Sequence, residues 1–181
     1  MVMKLSLQTL LISSLSMVGI EAFECIRTAT AAPAPVFQPV ISEIRKQLPP
    51  GGMLRLPAYL PDSDVTLYPY LKTDAQSFGV YLAFKPSCQV PSCTIGGAGI
   101  LTQEQAWPPN GKNRLQVELA QGIQGYHIAL GQGRGGKANY VYWQQDGQTY
   151  SIGALELGAS KEEVIEMAKS MAIEPPISGD K

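Results

Sequence analysis

A glycine-rich run, Gly131-Gln132-Gly133-Arg134-Gly135-Gly136, has the G-x-G-x-x-G spacing that lets a backbone approach a pyrophosphate. That chemistry needs a strand before the motif and a helix after it, so that the helix N-terminus receives the anion. Here alternation on both sides predicts strands, one through Tyr126, Ile128 and Leu130 and the next from Tyr140. The run therefore reads as a hairpin loop, and no cofactor is expected. What it retains is a weaker potential, with Arg134 and Lys137 placed among exposed amides that could hold an anion.

The other reactive side chains are few. His127 is the only histidine, and no G-x-S-x-G or comparable nucleophile signature accompanies it. Alternation sets it opposite Tyr126 and Ile128, on the less buried side of its strand. Asp62, Asp64 and Asp74 could pair for acid–base work, but they sit in turn-like segments. Asp62-x-Asp64 also offers too few oxygen ligands for calcium. The residues point to no catalytic, metal or cofactor site, and the chain reads as a non-enzyme.

Cys88 and Cys93 stand five apart in KPSCQVPSCT. A redox pair favours C-x-x-C at a helix start, where the dipole lowers the thiol pKa. Here Pro86 and Pro91 surround the cysteines and strands flank them, so a structural disulfide is expected. Two cysteines with no nearby His or Asp are a poor zinc site.

Export fits that pairing. Lys4 precedes an apolar stretch from Leu5 to Ile20, and Ala29-Thr30-Ala31 forms an A-x-A cleavage signature. Residues 1–31 read as a secretory leader. An uncut anchor wants about twenty uninterrupted apolar residues, whereas Glu21, Glu24 and Arg27 crowd the end of this stretch. Ala22-Phe23-Glu24 before Cys25 is also the wrong lead-in for lipid attachment. The remainder, roughly 150 residues, suits one domain. With 14 Lys+Arg against 15 Asp+Glu, the charges form no basic face, which excludes nucleic acid and an anionic membrane surface as partners.

These residues must be positioned by a small set of elements. Residues 32–38 read as a Pro/Ala-rich tether, and Pro39 opens a short helix with Val40, Ile41, Ile44 and Leu48 as its stripe. From Met53 to Leu157 the pattern is β, with Pro57 and Pro69 demoting Met53–Leu60 and Val65–Lys72 to edge or irregular strands. Short strands with Gly/Pro punctuation, closed by one helix, predict a single α+β domain over 39–172. Its antiparallel sheet has about six to eight strands, with a C-terminal amphipathic helix packed on one face. Residues 173–181 read as a tail.

The last hairpin can be read residue by residue. If Asp146-Gly147 is a two-residue type I′ turn, Gln145 faces Gln148, Trp143 faces Tyr150 and Val141 faces Ile152. Trp143, Tyr150, Val141 and Ile152 share the core face, and Tyr142 with Ser151 and Gln144 with Thr149 share a wet one. Ser160 caps the following helix, with Glu163 completing a capping box. The run W-x-x-D-G-x-x-Y, followed by a helix ending Met167-Ala168-Lys169-Ser170-Met171, resembles the C-terminal module of a bacterial domain-of-unknown-function family. That module occurs in exported envelope proteins, including sporulation and anti-sigma-factor-associated ones. The resemblance covers the last 35 residues or so and implies an extracytoplasmic, non-enzymatic domain.

The aromatics carry the remaining functional signal. Tyr140 and Tyr142 fall on the wet face, where a tyrosine patch suits a peptide, a glycan or an envelope protein. The expected role is a non-catalytic binding or structural module of the periplasm or the exterior. The alternative is an extracytoplasmic sensor acting through a membrane partner, and a small secreted hydrolase comes third.

Overall fold

The computed structural model describes residues 32–102, 106–110, 113–131 and 136–180. The leader expected over 1–31 and Arg134 lie outside them. Nine strands and two α-helices follow in order: α1 Ile41–Gln47, β1 Met53–Leu54, β2 Tyr68–Thr73, β3 Ser77–Ala83, β4 Thr94–Leu101, β5 Leu115–Ala120, β6 Ile123–Leu130, β7 Ala138–Gln145, β8 Gln148–Leu155, α2 Lys161–Ile173 and β9 Ile177–Ser178. Seven of the strands form one antiparallel sheet in the order β2-β3-β4-β8-β7-β6-β5, and β1 pairs with β9 beside it. This is the expected α+β domain. Two meanders, β2–β4 and β5–β8, meet where β4 pairs with β8.

The last hairpin follows its local chemistry. Trp143 faces Tyr150, Val141 faces Ile152 and Gln145 faces Gln148. Asp146 and Gly147 both take positive φ (52° and 74°), as a type I′ turn requires. Ser160 Oγ accepts from the Glu163 amide, and Glu163 reaches back to the Ser160 amide, completing the capping box. The apolar stripe of α2, led by Val164, Ala168 and Met171, then lies on β5, β7 and β8. Together with Phe37, Ile44 and Leu48 it buries one face of the sheet in a continuous core.

Three expectations at the margins need correction. Residues 32–38 are not a free tether: Ala34 and Phe37 are buried, and the Ala34 amide donates to the Pro57 carbonyl at 2.9 Å. A 3₁₀ helix, Pro35–Val40, enters α1, so Pro39 lies inside a helical run rather than opening it. Of the tail expected over 173–181, the described residues 173–180 are not loose either. Ile177 is buried opposite Leu54, and Glu174 is fully buried at 0% exposure. Finally, Met53–Leu60 yields only a two-residue strand, because β9 supplies a partner no longer than that. In all three, a distant segment supplies burial that local composition does not announce.

Candidate functional site

The face of the sheet away from α2 is built from two cross-strand rows. The first runs Tyr70, Tyr81, Gly97, Gly153, Tyr140 across β2, β3, β4, β8 and β7. The second runs Lys72, Gly79, Gly99, Ser151, Tyr142, Tyr126 and continues into β6. The floor of the face is therefore glycine and serine, and its walls are tyrosine. Side-chain alternation puts all these residues on one side once the register is set.

The glycines are there for the rings. A Cβ on Gly153 would come within 2.3 Å of the Tyr140 ring, and one on Gly97 within 2.8 Å of the Tyr81 ring. Both tyrosines thus lie down across the middle of the sheet in space that any larger residue would occupy. Tyr70 stacks on Tyr81 with centroids 5.7 Å apart, and Tyr140 stacks on Tyr142 at 6.1 Å. Between the two pairs runs a trough of about 270 Å³.

One end of the trough is walled by the cysteine loop. Cys88 and Cys93 are joined as a disulfide, with Cα atoms 6.3 Å apart, and Gln89 and Pro91 of that loop line the trough. Thr94 Oγ1 contacts the Tyr70 hydroxyl at 2.6 Å and donates to the Val90 carbonyl at 3.0 Å, tying the clasp to the aromatic wall. So short a loop adds only about 2 kcal/mol on the chain-entropy model. Mass analysis of the purified protein should show two hydrogens fewer than the free dithiol. Cys93→Ser should lower unfolding free energy by about 2 kcal/mol in urea while leaving far-UV circular dichroism intact.

No protein-family model, curated protein or solved structure matches the chain. The chemistry of the trough is accordingly read from its own groups. Burial holds the Tyr142 hydroxyl well above its usual range, at about 12, with Tyr140 and Tyr81 adding to the shift. Tyr140 is raised for the same reasons, burial first and Tyr81 second. Both hydroxyls stay protonated at any physiological pH and act as neutral donors and acceptors, not as bases. Lys72, with Nζ 5.9 Å from the Tyr81 centroid, is the cation of the described lining.

The other residues singled out in the sequence disperse. Lys137 does not line the trough; its ammonium faces Glu156 at 3.8 Å on the surface. His127 is not on the wet face. It pairs with Val141 on the helix side, is 4% exposed, and its Nε2 lies 3.1 Å from Asn139 Oδ1. The alternation misleads because β6 turns Tyr126 and Ile128 toward the tyrosine face and puts Gly125, His127 and Ala129 on the helix side. Asp74 is a turn residue: Oδ1 accepts from the Gln76 and Ser77 amides at 2.9 and 2.8 Å. Those bonds, led by Gln76, hold its carboxyl below the usual range. Among the described residues, no three metal-ligating side chains cluster, and no helix is long and apolar enough to cross a membrane.

Tyr70 and Tyr81, which the sequence marks only as aromatics surplus to the core, complete the site beside Tyr140 and Tyr142. Their signal was present in part, since Gly97 and Gly99 recur with period two on β4, Gly97 opposite Tyr81 and Gly99 opposite Gly79. What joins them to Tyr140 is the β4–β8 pairing, a contact between segments about fifty residues apart.

Proposed function

We propose that this is an exported, non-catalytic binding module that receives an extended peptide segment of an envelope partner in the tyrosine trough. The observation that carries this reading is the glycine floor between two stacked tyrosine pairs. Tyrosine offers a large amphipathic contact area at low entropic cost, which suits adaptable recognition of peptide. The hydroxyls, held neutral, match amide groups better than they match ions. The disulfide that shapes one wall suits an oxidising compartment, and the leader read over 1–31 suits export. The resemblance of the last hairpin and helix to an envelope-associated module points the same way. A histidine buried against Asn139 has no route to a substrate, which supports the non-enzyme reading.

The test is photo-cross-linking from the trough rim in the exporting cell, with a photoreactive residue at Gln89, which is exposed. A defined envelope peptide should be captured, and Tyr81→Ala with Tyr140→Ala should cut its yield at least tenfold while the fold persists. Capture of glycan in place of protein would replace peptide as the ligand. Turnover of ester, glycoside or peptide substrates that His127→Ala abolishes would overturn the non-enzyme reading.

A further inference from the structure

A second and larger space lies on the other side of the sheet. It opens where β3 ends, β4 begins and β8 ends, and encloses about 660 Å³. Its floor is Leu82, Ala98, Ile152 and Ala154, and α2 contributes Met167. Phe37 closes the back, and the irregular segment from Pro57 to Leu67 forms the cover. Such a volume lies within the range of small-molecule sites, about 300–1,000 Å³. At roughly 30 Å³ per water-sized group it holds about twenty methylene-sized groups.

Three observations converge on one occupant. The interior is apolar, so water there would find few hydrogen-bond partners, and the lining atoms forfeit dispersion contacts unless carbon fills the space. Val65, Phe84 and Leu157 line the same space and are exposed, Leu157 completely (100%), so the apolar surface continues out through the mouth. A continuous apolar path from surface to interior suits a chain that enters end first. The charges at the mouth are Asp62 and Asp64, with Ser63 between them, and no Lys, Arg or His lines the space. Lys85 lies outside the lining, its Nζ 5.6 Å from the Phe84 centroid. Two carboxylates and no cation oppose an anionic headgroup.

We infer that this cavity binds a single linear acyl chain carrying an uncharged, hydroxyl-bearing head. The chain lies between the floor of the sheet and Met167, and the head sits at Asp62–Asp64, where carboxylate oxygens accept from hydroxyl groups. Among the described residues, the Pro57–Leu67 backbone is tied to the rest of the fold at its start, where the Ala34 amide donates to the Pro57 carbonyl and the Tyr59 amide to Ser170 Oγ, which lets the remainder part for entry. This site lies across the sheet from the tyrosine side chains; it shares strand residues such as Gly96, Gly153 and Ala154 with the trough but does not depend on the function proposed for it.

The experiment uses the full chain and the neutral fluorophore 1-N-phenylnaphthylamine, displaced by 1-monolauroylglycerol or by laurate at pH 7. Fluorescence should rise several-fold on binding, and monolauroylglycerol should displace the probe at a concentration at least tenfold below laurate. Ala154→Phe, which fills the floor, should weaken probe binding at least tenfold. Asp62→Lys with Asp64→Lys, both exposed and outside the core, should bring laurate level with monolauroylglycerol. Tyr140→Ala should leave the probe bound as before. Monolauroylglycerol binding without retention on dioleoylphosphatidylcholine vesicles supports a free single-chain amphiphile. Retention on those vesicles without displacement of the probe by monolauroylglycerol overturns the proposal, because that lipid has two chains and a zwitterionic head with no hydroxyl. No fluorescence rise, or binding that folded Ala154→Phe leaves intact, overturns the site; equal displacement by laurate in the unaltered chain overturns the head.

Discussion

Replacing Trp143 by Ala costs about 3–5 kcal/mol of unfolding free energy. The indole is fully buried, at 0% exposure, and stacks on Tyr150 with centroids 5.3 Å apart. Its Nε1 donates to Gln145 Oε1 at 3.1 Å, so truncation also leaves an amide to find a new partner. Across the next strand it faces Gly125, which has no side chain to collapse into the space. α2 lies over this part of the sheet, and its end is tied to Arg55, which donates to the Ala172 and Glu174 carbonyls. The cavity therefore persists, and cavities that cannot relax sit at the costly end of the range. Equilibrium urea unfolding measures it; a loss below about 1 kcal/mol would mean that the indole is not the anchor of the core.

Arg55→Met costs about 3 kcal/mol and changes the pH dependence of stability. The Arg55 guanidinium is buried between two segments distant in sequence, the turn of the last hairpin and the end of α2. Nε and Nη2 donate to Asp146 Oδ2 at 3.2 and 2.6 Å, in the turn of the last hairpin. Nη1 donates to the carbonyls of Glu174 and Ala172 at the end of α2. Methionine fills similar volume but leaves those carbonyls unpaired, and the Glu174 carboxylate then has no counter-charge. Asp146→Asn should cost much less, because Asp146 is exposed and water can replace its partner.

Glu174 sets the sign of the pH effect. Burial raises its carboxyl above the usual range, opposed by the positive charge of Arg55, and neither oxygen has a hydrogen-bond partner. Below the ordinary carboxylate range both folded and unfolded chains hold the proton, and the group is neutral in its effect. As pH rises from that range toward the raised native value, the unfolded chain ionises first, so stability falls. Above that value the deficit stays constant. Glu174→Gln should therefore be more stable than the natural chain near neutrality and lose that advantage in acid. Arg55→Met, which removes the opposing charge, should steepen the fall. Urea denaturation across pH 4 to 8 reads both, and a Glu174→Gln difference independent of pH would contradict the raised carboxyl.

The sequence by itself determined whatever depends on neighbours along the chain. Asp146-Gly147 fixes a register because a two-residue turn with positive φ leaves one pairing of the flanking residues, and period two then sorts the faces. Ser160 and Glu163 start α2 because their bonds are three residues apart. The cysteine clasp likewise closes over five residues. Tertiary structure alone decided the rest. His127 went to the helix side, Phe37 and Ile177 joined the core, and Arg55 gathered Asp146 with the end of α2. The tyrosine wall was assembled only when β4 met β8, and the apolar cavity only when three strand ends, α2 and the Pro57–Leu67 cover came together. The physical reason is common to all of these. Burial and pairing energies depend on which surfaces meet, and a strand with apolar residues on both faces carries no local mark of which one will be covered.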